Sequence, residues 1–507
     1  MLHRIVALGS ALLFLCAESI SGSAPVPDLA TIRANVARAE GTKPVNERLE
    51  TIVVSNGVKA DAVELRDGAD EREDSTLGPF SFARGVYGGQ HWFRNENGET
   101  AYVQPDPGKA KPDALTTTVK HVATPLDAYV IAELNADGYG TKEYIDPVTW
   151  RLVRRDYVTA SETTTIQYDD FRTTAGYTRA CHWTSRDGLR VDDADSNIVS
   201  DTVGEVKKSD LAIPPSLRNL VEFPAGKSTV ALPVRLEDGA FIVRVNVGSR
   251  GLDFLLDTGA SGITIDEDVA EQLGLQLYAP RSSAASAGRY IAHRAIVPEM
   301  RVGDLDMHDV AVFTTPELRQ EVPGEYKIVG LLGFDFIGSV SLKLDYEAGT
   351  ATAYDPSTFT PPTDPGTDLL DVRFSDGAPM TDVIVNGARA ERFTVDTGDQ
   401  GGLVLFEYFL RRYPEALKGS QVIGDNAVAY GVGGTVDIAP YRLAKVQLGQ
   451  IVFANFRAWV PAKLGPYGGN EDGLVGTDFL RFFTLYIDYA TSAIYLVPNK
   501  LGRSVMR

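Results

Sequence analysis

Two aspartates in this chain sit in near-identical surroundings. Asp257 lies in "FLLDTGAS", residues 254–261, and Asp396 in "FTVDTGDQ", residues 393–400. Each ends a strand-like run and is followed by Thr-Gly, a turn that cannot extend the strand. A carboxylate can take a proton from water, and a protonated carboxyl can give one to a carbonyl oxygen. Two carboxyls face to face at roughly 3 Å cannot both ionise, so they share one proton and divide the two roles. Such a pair titrates as a unit, so neither member owns the base role. The chemistry within its reach is hydrolysis by an activated water, with no covalent intermediate, metal or cofactor.

Other reaction types lack residues. The six histidines show no H-E-x-x-H spacing, and neither a G-x-S-x-G elbow nor a phosphate-binding glycine loop occurs. Of the two cysteines, Cys16 falls in a leader-like segment, and Cys181, between Ala180 and His182, fits a packed residue better than a nucleophile. Formal charge is −19, from 49 Lys+Arg against 68 Asp+Glu, which argues against nucleic acid and anionic membrane surfaces as partners.

The elements around each aspartate repeat. "FIVRVNVGSRGLDFLLDTG" reads as strand, glycine turn, strand, and "TDVIVNGARAERFTVDTG" as strand, Asn386-Gly387 turn, strand. Downstream, "GITI" with "DEDVAEQLGL" and "GLVL" with "FEYFLRRYP" each predict a second strand and a short helix, ended by Gly274 and Pro414. Further on, "VGLLGFDFIGSVSLKLDY", residues 329–346, matches "DGLVGTDFLRFFTLYIDY", residues 472–489, at nearly the spacing that separates the aspartates. Asp335 and Asp478 within these stretches read as helix N-caps. "DPSTFTPPTDPGTD", residues 355–368, links the copies.

On these residues the chain resembles the aspartic proteases of pepsin-like and retroviral-like type, over roughly residues 229 to 498. The marks are a strand entering Asp-Thr-Gly and, later, two apolar residues plus glycine, here Leu331-Leu332-Gly333 and Leu474-Val475-Gly476. The resemblance implies two lobes about a pseudo-twofold axis, with Asp257 and Asp396 as catalytic pair and Thr258 and Thr397 tying the turns together. Gly259 and Gly398 let the backbone turn without a clashing Cβ. It also implies hairpin flaps that hold an extended polypeptide substrate by strand addition. Ser286, Ala287 and Gly288 align with Val432, Gly433 and Gly434 as the two flap tips, and two flaps point to the retroviral-like arrangement. Asp399 departs from the pattern, where Ala, Ser or Thr is usual. It would raise the pKa values of the pair, demand a cationic neighbour, or point to solvent. The alternative function is a catalytically inactive binding or carrier protein that keeps the fold, and the repeats could also pair between chains rather than within one.

The N-terminal part reads differently. "MLHRIVALGSALLFLCAESISGSAP" has one early arginine and an apolar run too short to span a bilayer, as in a secretory signal cleaved near Ser23 or Ala24. After a helical segment, "LATIRANVARAE", come runs such as "KEYIDPVTWRLVRRDYV", "TTTIQYDDFRTT" and "GYTRACHWTSR", which predict consecutive antiparallel strands. The pattern resembles the half-barrel of periplasmic lipoprotein-sorting carriers. The expected organisation is a signal peptide (1–24), a carrier-like curved antiparallel β domain (25–210), a connector (211–228), lobe 1 (229–356), a Pro-rich linker (357–368), lobe 2 (369–498) and a tail (499–507). The whole is mainly β, exported to the periplasm or secreted, without an integral membrane segment in the mature chain, and functional as a monomer with its lobes paired.

Overall fold

A computed structural model describes residues 25–505 apart from 104–113, 160–161, 189–190, 286–287, 317, 319–326, 376, 433 and 462–470. The expected leader lies outside the described residues. The chain is mainly β, and its strands form four sheets. No helix among the described residues is long and apolar enough to cross a membrane.

The first sheet is a single antiparallel curved layer of 13 strands between Asn46 and Val203, two meanders joined where Asn46–Ser55 pairs with Ala194–Val203. The helix Leu29–Glu40, capped by Asp28 through the Thr31 amide, packs on it: Ile32, with no exposed surface, meets Ile131 and Ile145. Cys181 is buried against Leu49 and Ile198, a packed residue as its neighbours implied.

The C-terminal half is two copies of one topology. In the first, Ala240–Val247 and Arg250–Leu256 form a hairpin whose second strand pairs in parallel with Ile328–Leu332, which in turn pairs antiparallel with Ile263–Asp266. In the second, Ala378–Val385, Ala388–Val395, Gly473–Val475 and Leu403–Leu405 repeat those pairings. Alternation drives the outer strands: Val243, Val245 and Val247 are buried while Arg244 and Asn246 face water. The Asn386-Gly387 turn has positive φ at both residues, 49° and 92°, as a two-residue hairpin turn requires.

The lobes also share a sheet. Ser341–Asp345 of the first pairs antiparallel with Phe483–Asp488 of the second, Lys343 opposite Tyr486, which puts the pseudo-twofold axis between them. One apolar core runs through both lobes and this shared sheet. Beyond it Lys500–Val505 form a helix, where only a tail was expected.

Candidate active site

Each aspartate leaves its strand beside the apolar-apolar-glycine strand. The Asp257 amide donates to Leu332 O and the Asp396 amide to Val475 O, both at 3.0 Å. The turn then folds back on the carboxyl: Gly259 N and Ala260 N donate to Asp257 Oδ1 at 2.8 and 3.1 Å, and Gly398 N and Asp399 N to Asp396 Oδ1 at 2.8 and 3.2 Å. One oxygen of each carboxyl is thus fixed by backbone and aimed.

Thr258 and Thr397, neither with any exposed surface, cross between the lobes. Thr258 N donates to Thr397 Oγ1 at 3.1 Å and Thr397 N to Thr258 Oγ1 at 2.9 Å. Each hydroxyl then donates to a carbonyl of the opposite lobe, Thr258 to Val395 O at 2.6 Å and Thr397 to Leu256 O at 2.8 Å. Thr258→Val would leave the Thr397 amide and the Val395 carbonyl buried without partners, at about 1–3 kcal/mol each. Urea unfolding at pH 5 should show a loss of about 2–4 kcal/mol, and a loss under 0.5 would remove this grip from the account.

The grip brings the aspartates together. Each carboxyl lies against the other lobe's aspartate turn, and both are half-buried. A Cβ on Gly259 would lie 2.8 Å from the Asp396 Cγ, and one on Gly398 2.6 Å from the Asp257 Cγ, so only glycine fits at either place. Burial first, and then the charge of Asp396, hold the Asp257 carboxyl well above the usual carboxylate range. Burial raises Asp396 too, against the opposing pull of its backbone donors.

The flap candidates occupy two long hairpins. Gly288 starts the strand Gly288–Val302, paired with Tyr278–Ala285, while Ser286 and Ala287 lie outside the described residues. Ala427–Gly431 and Gly434–Leu448 form the second hairpin, with Val432 at its tip and Gly433 outside the described residues. Val432 reaches the other lobe: it packs with Ala260 against Ile242, Leu255, Leu318, Ile328 and Leu331. That apolar wall stands beside the Asp257 turn.

Three acids differ from expectation. Asp399 does not turn to solvent, and no cation pairs with it among the described residues. Its Oδ1 accepts from Gly401 N at 3.0 Å, and its Oδ2 is buried without a hydrogen-bond partner against Gly476, where a Cβ would lie 2.2 Å away. Burial, then the charge of Asp396, pushes its pKa up to about 7. Asp335 and Asp478 are not N-caps: Gly333 and Gly476 take that position, and the two acids fall inside the short helices Phe334–Gly338 and Thr477–Leu480. Asp335 is buried and accepts from Ile263 N at 3.0 Å, whereas Asp478 is partly exposed and pairs with Arg481 at 3.2 Å.

The sequence reading passed over Tyr346 and Tyr489, although both close the repeated stretches "LKLDY" and "LYIDY". Both are buried, with hydroxyls lacking a hydrogen-bond partner among the described residues. Burial, with the charge of Asp396 for Tyr346 and of both aspartates for Tyr489, raises their pKa values, so they lie within electrostatic reach of the pair. Their recurrence was the available signal. No group of three or more potential metal ligands occurs among the described residues.

Residues 243–336 and 381–479 match the family described as "Aspartyl protease". Among solved structures, the aspartic proteinase from Irpex lacteus is 11% identical with a TM-score of 0.36, covering 55% of this chain and all of that one. A putative outer membrane lipoprotein-sorting protein domain from Vibrio parahaemolyticus is 9% identical with a TM-score of 0.26, covering 36% of this chain and 94% of that one. A LolA superfamily protein from Nitrosomonas europaea is 9% identical with a TM-score of 0.27, covering 36% and 96%. No curated protein matches the chain. Two tandem stretches in the C-terminal half, one around each aspartate, thus match the aspartyl protease family model.

Proposed function

We propose that the protein is an exported aspartic endopeptidase whose two lobes form one site within a single chain. The observation that carries this is the juxtaposition of Asp257 and Asp396, two half-buried carboxyls with raised pKa values, each set against the other lobe's glycine on turns locked by the threonine grip. One carboxylate takes a proton from the attacking water while its protonated partner polarises the scissile carbonyl. The two hairpins hold the polypeptide as an added strand. The leader-like residues 1–24 support export, and the intramolecular grip supports a functional monomer. The rival reading, a binding or carrier protein that keeps the fold, draws on Asp399, a third acid beside the pair.

The purified chain is expected to cleave an unfolded polypeptide with an acid-to-neutral optimum. Silence from pH 3 to 8 would leave the carrier reading. The wall under Val432 predicts preference for an apolar residue next to the cleaved bond. Val432→Ser should lower kcat/KM on such a peptide about tenfold, as loss of about two buried methyl groups implies. An unchanged ratio of apolar to polar substrates would remove Val432 from substrate contact.

A further inference from the structure

Asp335 and Asp478 are equivalent in the two repeats, yet only Asp335 is covered, and what covers it belongs to the N-terminal sheet. The loop Asn95–Glu99 of that sheet is inserted against lobe 1. Asn95 Nδ2 donates to Asp335 Oδ1 at 2.7 Å in a buried contact, while Asp335 Oδ2 accepts from Ile263 N at 3.0 Å. The same short helix is tied to the aspartate turn by its first amide, Phe334 N to Ala260 O at 3.0 Å.

The loop is built to stay. Asn97 is buried and exchanges two hydrogen bonds with the Ala311 backbone, at 2.8 and 3.1 Å. Glu96 pairs with the buried Arg294 at 3.0 Å, and Phe93 packs on Phe334 with ring centroids 5.5 Å apart. Arg218 clamps the loop to lobe 1 through Asn97 O, His308 O and Asp309 O. Ser339 donates to Glu99, whose own amide donates to Asn95 Oδ1 at 2.9 Å.

We infer that the N-terminal sheet is a working part of the site, with Asn95 and Glu99 as positioning residues that hold the Asp257 turn through Asp335 and Ile263. This rests on the endopeptidase reading for its effect on turnover, but not for its effect on structure. The second lobe serves as an internal control: its equivalent acid, Asp478, faces Arg481 and solvent, and the N-terminal sheet meets that lobe elsewhere, where Asp137 pairs with Arg411 at 3.5 Å.

The loop also brings the partly buried Glu99 near the buried Asp335. Burial pushes Glu99 up to about 7, against Ser339, Asn95 and Arg218; burial and then Glu99, with Glu96 adding, push Asp335 up to about 8. Both are protonated in acid. As pH rises past neutrality both ionise within electrostatic reach of each other, and the Asn95 contact weakens.

Hydrogen exchange of the segments 257–266 and 396–405 tests this in the full chain. Asn95→Ala should speed exchange of the first about tenfold and leave the second unchanged, since it removes one buried hydrogen bond that a neighbour depends on. On an unfolded polypeptide it should lower kcat by a similar factor with little change in KM. Glu99→Gln, which keeps the hydrogen bonds and removes the charge, should retain protection of 257–266 at pH 8.5, where the wild type loses it. Wild-type protection of that segment in both variants would overturn the proposal. An inactive wild type would sink the endopeptidase reading alone, because exchange would still report the coupling.

Discussion

Asp257→Asn and Asp396→Asn are each expected to lower turnover of an unfolded polypeptide by about 10⁴-fold, because either change removes the shared proton on which base and acid roles depend. KM should move little, since the flaps and the apolar wall are untouched. Neither change should harm the fold. Both carboxyls are raised above their unfolded values, so folding favours their protonated forms. That stabilisation is fully present in acid and is lost as pH rises through the folded pKa values. An asparagine keeps the neutral shape without the charge. Each variant should therefore match the wild type in denaturant midpoint near pH 4 and exceed it at pH 7. Turnover within tenfold of wild type in either variant would end the shared-pair mechanism, and a large loss of stability at neutral pH would mean that the ionised forms hold the lobes together.

Asp399→Ala carries the second large effect, on pH dependence. The Asp399 carboxyl moves from an ordinary value of 3.8 to about 7, with burial the main cause and Asp396 the second. Its protonated form is the one that suits the folded state. The stabilisation is present below pH 4 and fades by about 1.4 kcal/mol per pH unit until about pH 7. Removing the carboxyl should raise stability at pH 8 relative to the wild type by several kcal/mol, with little change at pH 4. Urea midpoints at both values measure it. Activity should respond in the opposite sense on its alkaline side. An ionised Asp399 disfavours further negative charge on Asp396, so the wild-type pair keeps its proton to higher pH. In Asp399→Ala the alkaline limb of kcat should move toward acid. An unmoved limb, with the stability change present, would mean that Asp399 affects folding and not the pair.

The threonine grip explains why these effects are asymmetric between acid and base. Thr258 and Thr397 satisfy each other's amides and the opposing carbonyls without using a charge, so they hold at any pH. The two aspartates, Asp399, and Glu99 and Asp335 around Asn95 all favour the protonated state. Loosening with rising pH is thus spread over several buried acids and should proceed in stages.

Much of this was legible in the chain itself. Strand alternation, the hairpin turn at Asn386-Gly387, and the recurrence of Asp-Thr-Gly with Leu-Leu-Gly or Leu-Val-Gly are local patterns, set by backbone geometry and side-chain period. They located both aspartate turns and the paired lobes. The environment of Asp399, the partners of Asp335 and the burial of Tyr346 and Tyr489 within electrostatic reach of the pair were not legible. Each depends on residues distant in sequence: Gly476 against Asp399, Asn95 against Asp335, and both aspartates against Tyr489. Whether a carboxyl meets water, a cation or a buried amide is decided by packing between elements, and no local pattern encodes it. The chain itself determined the repeat and its chemistry. Tertiary structure decided which acids are buried, and that the N-terminal sheet covers Asp335 in the first repeat while the equivalent Asp478 in the second meets Arg481 and solvent.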